Sequence, residues 1–145
     1  MARMLDLITR IQRGDSPPPP VADLIGFRIA SIESGHAVMT LEAGPQHANP
    51  MGTLHGGILC DLADAAMGMA YASSLDEGET FTTLELKINF LKPVWTGRLT
   101  ADGRVVKGGH TVGLVECDVH DDKDRLVARA SSTCMTLRGA QAQGR

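Results

Sequence analysis

The chain has 145 residues, a formal net charge of -3 at pH 7 and 43% hydrophobic residues. This length suits one domain with a single core and is short for two. The mildly acidic balance, without any basic block, argues against nucleic acid as the main partner. Charged residues interrupt the apolar runs near the N-terminus, and no run reaches the roughly 20 residues that span a bilayer. We therefore expect a soluble, cytoplasmic protein without a signal peptide or a membrane partner.

The cysteines, Cys60, Cys117 and Cys134, are odd in number and lack the close spacing of a metal site. We expect reduced thiols in the core, as is usual for a cytosolic protein. The alternative is that Cys60 acts as a catalytic nucleophile. The apolar surroundings of Cys60 argue against this role, because they disfavour the thiolate.

The first predicted element is an amphipathic helix at residues 2–13, ended by Gly14. Its apolar stripe consists of Leu5, Ile8 and Ile11. Four prolines at residues 17–20 predict a stiff, polyproline-like connector. We interpret the connector as a spacer, since a lone proline run is weak support for a recognition segment. Two strands are predicted next, at residues 26–33 and 36–43.

The stretch HANPMGTLHGGILCDLADAA, residues 47–66, begins with turn residues and continues with apolar residues at helical spacing. The helix starts near residues 55–57, and it is apolar on almost every side, so it belongs inside the fold. Its first turn exposes amide N–H groups without an intrahelical partner. Because Gly56 and Gly57 have no side chain to block an approach, an oxyanion could sit against those amides.

Two carboxylates, Asp61 and Asp64, lie further along this apolar helix. Burying a charge costs several kcal/mol or more unless it is paired or hydrogen-bonded. The presence of aspartates on such a helix therefore has to be explained. One of them could be a catalytic nucleophile or base. Alternatively, both are exposed at an interface or a helix edge, and spacing alone leaves both interpretations open.

Beyond the helix, alternation of apolar and polar residues predicts a strand with one buried face, ended by Pro93. Its apolar positions are Leu84, Leu86, Ile88 and Phe90. Residues 97–107 and 111–120 predict a hairpin, and residues 125–137 a last strand. This order predicts an α+β fold with an antiparallel sheet of about five to six strands wrapped around the long central helix.

The pattern H-x-N-x-x-G-x-x-H-G-G, with an Asp nine residues after the second His, resembles the PaaI-type acyl-CoA thioesterases of the hotdog-fold 4-hydroxybenzoyl-CoA thioesterase superfamily. It is filled here by His47, Asn49, Gly52, His55, Gly56, Gly57 and Asp64. A compatible strand pattern extends the resemblance over residues 22–137. We therefore expect an N-terminal helix and proline connector at residues 1–20, a hotdog domain at residues 21–138 and a flexible tail at residues 139–145.

The resemblance implies hydrolysis of an acyl-CoA thioester, with coenzyme A as part of the substrate and no separate cofactor. Asp64 takes the place of the catalytic carboxylate, and the N–H of Gly56 takes that of the oxyanion donor. Asn49 and His55 take the places of residues that hold the loop and position the thioester or water. Asp61 has no counterpart, and we interpret it as structural. Nucleophilic attack by the carboxylate and general-base activation of water both remain open.

Alignment on Pro93 places Thr83 where some relatives carry a residue that orients the attacking water. Thr83 falls on the polar face of the alternating strand, and Thr82 is the alternative. The remaining candidates, all for substrate binding, are His47, Gly57, Met67, Lys107 and Gly108.

Among these candidates, the turn that follows Lys107 suits a CoA phosphate, because glycine amides beside a cation bind anions. Lys87 and Lys92 are the other cations on the relevant strands, and each lysine could equally be a solvated surface residue. Met67 and Met69 could line a pocket for an aryl or a medium alkyl group, so the acyl preference stays open.

The geometry of the helix limits how Gly56 and Asp64 can act on one substrate. At 1.5 Å per residue, the eight steps from Gly56 to Asp64 span about 12 Å, whereas attack needs both groups within about 3 Å of one carbonyl. If both residues act, they act from different chains, and the simplest arrangement is a two-fold dimer with its central helices side by side. The resemblance implies the same dimer, with dimers pairing into a tetramer.

Three rival classes share some of these features. A hotdog hydratase would need a His where this chain has Met69, and a dehydratase would need a helix Glu and a different His loop. A non-catalytic acyl-CoA binding module could dispense with the acid, yet Asp64 is retained. A metal enzyme is possible in composition. Its ligands would be His47, His55, Asp61 and Asp64.

Overall fold

A computed structural model describes residues 3–145, which form a six-stranded antiparallel sheet wrapped around one long helix. The helices are α1 (Met4–Arg13), α2 (Pro20–Ile25) and α3 (Gly56–Ser73). The strands are β1 (Phe27–Glu33), β2 (His36–Ala43), β3 (Thr80–Phe90), β4 (Gly97–Gly108), β5 (Val112–His120) and β6 (Leu126–Leu137). Short 3-10 turns cover Pro45–His47 and Gly139–Ala142. The predicted α+β architecture is confirmed, and none of the described helices has the length and apolar character of a membrane span.

The sheet has the strand order β1-β2-β4-β5-β6-β3, so β3 crosses to the far edge after α3. Every neighbouring pair is antiparallel. The helices α1 and α2 pack beside β1 at one edge. At the other edge, β3 pairs only with β6 within residues 3–145, so its outer backbone groups face away from the sheet.

The long helix α3 fills the concave side of the sheet, as its all-round apolar sequence predicts. Its fully buried residues are Leu62, Ala63, Ala66, Met67, Ala70, Ala72 and Ser73. The backbone of β4 comes close to that of α3 at Gly103, where an added Cβ would lie 2.6 Å from the carbonyl of Ala66. A side chain at that position would push the strand and the helix apart.

The strand β3 contains a bulge that the alternation pattern does not predict. The register against β6 shifts between Thr83 and Glu85, which leaves Leu84 as an extra residue, 55% exposed. One extra residue reverses the face of every position before it. Thr83 therefore faces the inside of the sheet rather than the polar face, and the expected burial of Leu84 and Phe90 is wrong, since Phe90 is 54% exposed.

The N-terminal elements differ from the sequence prediction in two places. The helix α1 starts at Met4, residues 1–2 lie outside the described part of the chain, and the helix ends at Gly14 with φ +81°, as expected. The proline connector is shorter than predicted, because Pro20 is the first residue of α2. Proline is favoured at this helix position, where its missing N–H costs nothing, and Gly26 with φ +102° ends the short helix.

Replacing Gly103 with Ala should lower the free energy of unfolding by about 1–3 kcal/mol, because the added methyl would overlap the α3 backbone. Urea denaturation followed by circular dichroism measures this change. Gly108→Ala is the matched control, since its added Cβ would meet only a Val105 methyl at 3.9 Å. If the two variants unfold at the same urea concentration, the close approach of β4 to α3 is wrong.

Candidate active site

The loop that leads into α3 is held by the side chain of Asn49. Its Oδ1 accepts hydrogen bonds from the amides of Met51 at 3.0 Å and Thr53 at 3.1 Å, and its Nδ2 donates to Thr53 Oγ1 at 2.7 Å. The backbone closes the same turn through a bridge between Ala48 and Leu54. Asn49 therefore shapes the loop through both its side-chain oxygen and its side-chain nitrogen.

The two histidines of the motif have different positions. His47 is buried, donates from Nε2 to the carbonyl of Ile25 at 2.7 Å and accepts at Nδ1 from the amide of Gly44 at 3.1 Å. Because a carbonyl can only accept, the ring is the neutral tautomer with its proton on Nε2. His47 thus ties the loop to the end of α2. His55 is exposed and caps α3, its Nδ1 accepting from the amide of Gly57 at 2.9 Å.

The N-terminus of α3 leaves one amide free. The amide of Gly57 is engaged by His55, and that of Ile58 donates to the His55 carbonyl at 3.0 Å. In the described chain the amide of Gly56 donates to no acceptor. The sequence pattern suggests the amides of Gly56 and Gly57 as oxyanion donors. Of these two, the amide of Gly56 is the one without an acceptor in the described chain.

A cavity of about 370 Å³ opens beside this amide, and we call it the Gly56 cavity. It is lined by Thr53, Leu54, Gly56, Leu59, Phe90, Leu91, Lys92, Pro93 and Val94. The ring of Phe90 lies so close that a Cβ on Gly56 would be 3.0 Å from its Cζ atom. Lys92, which the sequence pattern indicates as an alternative to Lys107, is the cation of this cavity.

A second cavity of about 1160 Å³ lies on another side of α3, and we call it the Asp64 cavity. Its walls come from α1, the proline connector, α2, β1, β2, α3 and β3, and most of the lining residues are apolar. The residues that α3 and β3 contribute are Asp61, Asp64, Ala65, Gly68, Met69, Phe81 and Thr83. No residue lines both this cavity and the Gly56 cavity.

Both carboxylates of α3 face the Asp64 cavity. Within the described residues, neither Asp61 nor Asp64 makes a hydrogen bond or an ion pair, and both are open to solvent in the single chain. Desolvation by the cavity walls raises the pKa of Asp64, and the negative charge of Asp61 one turn away raises it further. Asp61, for which a structural role is predicted, thus lies in the same cavity as Asp64.

Gly56 and Asp64 lie on one uninterrupted helix. Eight residues of α-helix separate them by about 12 Å along the axis and about 80° around it. They also open into different cavities. Within a single chain, no carbonyl group can contact both.

The bulge in β3 gives the two threonine candidates different positions. Thr83 lines the Asp64 cavity, and its Oγ1 lies 3.8 Å from Cys134 Sγ on the inner face of β6. Thr82 pairs with Met135 and lines neither cavity. The structure thus brings Thr83 to Asp64 through a bulge that a simple alternation pattern cannot indicate.

Several predicted substrate contacts are not brought to either cavity. Met67 is fully buried in the core, and Met69 lines the Asp64 cavity instead. Lys107 and Gly108 lie exposed at the end of β4. The hairpin they belong to packs through Gly113 against Tyr71, near the C-terminal end of α3 and away from Gly56.

The four residues considered as metal ligands do not come together in the structure. His47 is hydrogen-bonded to the carbonyl of Ile25 and His55 caps α3, so that only the two aspartates share a cavity. Across residues 3–145, no three His, Cys, Asp or Glu side chains lie close enough to hold a metal ion.

Cys60 on α3 does not have the electrostatic surroundings of a nucleophile. Burial raises the pKa of its thiol, and the charges of Asp61 and Asp64 raise it further. A reactive cysteine needs the opposite shift, toward the thiolate. The same holds for the buried Cys117, whose thiol pKa is raised to about 12 by burial.

Comparison with known proteins identifies the family. The family model of the thioesterase superfamily matches residues 51–128. A 1,4-dihydroxy-2-naphthoyl-CoA hydrolase of Listeria monocytogenes is 31% identical to the chain, over 77% of this chain and 90% of that protein.

Solved structures give the same result. A phenylacetic acid degradation-related protein of Ralstonia eutropha JMP134 is 32% identical, with a TM-score of 0.81 over 88% of this chain and 98% of that one. The PaaI protein of E. coli, from the phenylacetic acid degradation operon, is 26% identical, with a TM-score of 0.82 over 94% of this chain and 97% of that one. From the matching family model, these relatives and the sheet around α3, we conclude that the chain belongs to the thioesterase superfamily as a hotdog-fold, PaaI-like hydrolase.

Proposed function

We propose that the protein hydrolyses acyl-CoA thioesters to a carboxylic acid and free CoA, at sites that two copies of the chain share. The observation that carries this proposal is the pair of unengaged groups on α3: the Gly56 amide at its N-terminus and the Asp64 carboxylate in a separate cavity. The CoA thioester is supported by the Listeria relative, which is named as a CoA hydrolase.

In this mechanism, the thioester carbonyl oxygen accepts a hydrogen bond from the Gly56 N–H of one protomer. The amide and the helix dipole stabilise the oxyanion that forms during attack. Asp64 of the other protomer either attacks the carbonyl carbon or takes a proton from an attacking water. Direct attack gives a mixed anhydride and expels the CoA thiolate, and water then hydrolyses the anhydride. Thr83, in the same cavity as Asp64, orients that water.

The shared site requires self-association, and β3 offers a surface for it. Its outer edge carries no further strand within residues 3–145, and unprotected edges readily pair with another chain. Large apolar side chains lie exposed along and just after it, namely Leu84, Phe90 and Leu91. We propose a homodimer formed along β3, with dimers pairing into a tetramer as the family resemblance implies.

Anionic groups of CoA need a cation near the site. Lys92 lines the Gly56 cavity, whereas Lys107 lies at the far end of α3. We therefore propose Lys92 in place of Lys107 as the cation nearest the bound thioester. No separate cofactor enters this mechanism, because CoA arrives with the substrate.

Replacing Asp64 with Asn should lower kcat by at least a hundredfold, because loss of a positioned base or nucleophile typically costs factors of about 10² to 10⁴. Release of free thiol from a panel of aryl, short and medium acyl-CoAs measures the rate. Asp122→Asn, in the β5–β6 turn and outside both cavities, is the matched control. Near-normal turnover by the Asp64 variant would refute its catalytic assignment.

Replacing Gly56 with Pro should abolish turnover while the helix is kept, because proline lacks the N–H yet fits the first helical position. His55 already has the extended conformation that a following proline requires. Gly56→Ala is the control, since it makes the same Cβ contact with Phe90 but retains the amide.

Mixing the Asp64→Asn and Gly56→Pro chains tests whether the site is shared. Random pairing makes half the dimers mixed, and each mixed dimer has one intact site, so about a quarter of the wild-type activity should return. If the mixture is no more active than either variant alone, the Asp64 carboxylate and the Gly56 amide do not act from different chains.

Activity should fall at low pH, because Asp64 must be ionised and its pKa is raised by desolvation and by Asp61. The acid limb of kcat/KM should therefore lie above the usual Asp range near about 3.9. Asp61→Asn removes the negative charge of Asp61 but not the desolvation, so it should move the acid limb to lower pH. Asp122→Asn should leave the acid limb where it is. An acid limb unaffected by Asp61→Asn would contradict the coupling of the two carboxylates.

A further inference from the structure

The outer side of the Asp64 cavity is formed by the N-terminal segment, which we define as residues 4–19, namely α1 and the connector that follows it. The segment contributes apolar side chains from α1 and three prolines. Those side chains are Met4, Leu7, Ile8, Ile11, Pro17, Pro18 and Pro19. Eleven of the sixteen residues of the segment thus line the cavity that contains Asp64.

Two residues that line the cavity also hold the segment on the domain. Ile8 is 3% exposed, and Gln12 Nε2 donates to the carbonyl of Ala30 in β1 at 3.0 Å. Leu7 also lines the cavity, yet it is 42% exposed. Its side chain therefore borders open space, and the fold depends on it less than on Ile8.

Opposite the segment, α3 presents small residues next to the carboxylate. Gly68 lies one helical turn beyond Asp64, and an added Cβ there would be 3.4 Å from Phe81 Cζ. The Phe81 ring is itself held edge-on against Tyr71, with the ring centres 5.6 Å apart. Gly68 and Ala65 both line the cavity, and the ring of Phe81 packs against Gly68 in the place that a larger side chain would take.

The size and polarity of the cavity indicate what it holds. At about 1160 Å³ it exceeds the range of about 300–1,000 Å³ typical of small-molecule pockets, although a second chain would occupy part of it. The carboxylates lie on its α3 side, and the N-terminal segment offers mostly apolar surface opposite them. A thioester held at Asp64 would thus direct its acyl group toward the N-terminal segment.

We infer that the N-terminal segment is a specificity-determining wall, which selects large apolar acyl groups and limits their length at Leu7. This inference rests on the proposed function, because it assigns the acyl group of that substrate to the Asp64 cavity. Side chains that fill or enlarge a hydrophobic pocket change selectivity steeply, by about 10- to 200-fold for one methylene. A change at Leu7 should therefore alter the chain-length preference without altering the chemistry at Asp64.

The test compares kcat/KM for straight-chain acyl-CoAs from acetyl to dodecanoyl, together with benzoyl-CoA and phenylacetyl-CoA. Leu7→Trp should lower kcat/KM for the longest accepted chains by about tenfold or more and leave acetyl-CoA within about twofold. Leu7→Ala should move the optimum to longer chains. Leu24→Trp is the control, because Leu24 on α2 is 81% exposed and lines neither cavity. The same chain-length profile in all of these proteins would overturn the inference.

A binding measurement separates this inference from the proposed reaction. Alkyl-CoA thioethers cannot be hydrolysed, and calorimetry gives their Kd for the wild type and the Leu7 variants. If affinity rises with alkyl length in the wild type and this rise is lost in Leu7→Trp, the wall is supported even when no acyl-CoA is hydrolysed. If acyl-CoAs are hydrolysed but the Leu7 variants change neither the Kd nor the kcat/KM, the inference about the N-terminal segment is wrong, whereas the proposed hydrolysis is supported. Urea denaturation checks that each variant remains folded.

Discussion

A helix that is apolar on almost every side can be stable only if a sheet surrounds it, and the fold depends on this constraint. Leu62, Ala66 and Met67 are fully buried, so β2, β4 and β5 must curl around α3. Burial of apolar surface drives this arrangement, at about 25 cal/mol per Å². The two regions of α3 that the sheet does not cover are its N-terminus and the side that carries Asp61 and Asp64. Both cavities are located there.

The rigidity of the same helix determines how the site can work. One turn advances only about 5.4 Å, so no side-chain rotation brings Asp64 to a group held by the Gly56 amide. A loop could have folded back to join them, but a buried helix cannot bend that far without losing its packing against the sheet. In the proposed mechanism, each chain therefore contributes one group to each of two sites, and neither site is complete without a second chain. Evolutionary or engineered changes to self-association would then act directly on activity.

Much of this structure can be predicted from the sequence, because periodicity and turn residues are local properties. The strand at His36–Ala43 and the helix beginning at Gly56 follow from alternation and from the glycine pair. The inward position of Thr83 could not be predicted, since it depends on a register shift against β6 that only the paired strands define. Likewise, Met67 and Met69 are two residues apart on one helix. Only the surrounding sheet and α1 decide that the first is buried in the core and the second faces a cavity.

Small residues on α3 serve two opposite purposes, and the element that faces them decides which. At Ala66 the backbone of β4 approaches so closely that Gly103 has no room for a Cβ, so small side chains there give tight packing. At Gly68 an added Cβ would instead meet the Phe81 ring at 3.4 Å and no strand backbone, and both Gly68 and Ala65 line the Asp64 cavity. The same composition thus yields a dense core on one side of the helix and a cavity on the other. This difference explains how one apolar helix can stabilise the fold and still leave a place for a substrate beside a carboxylate.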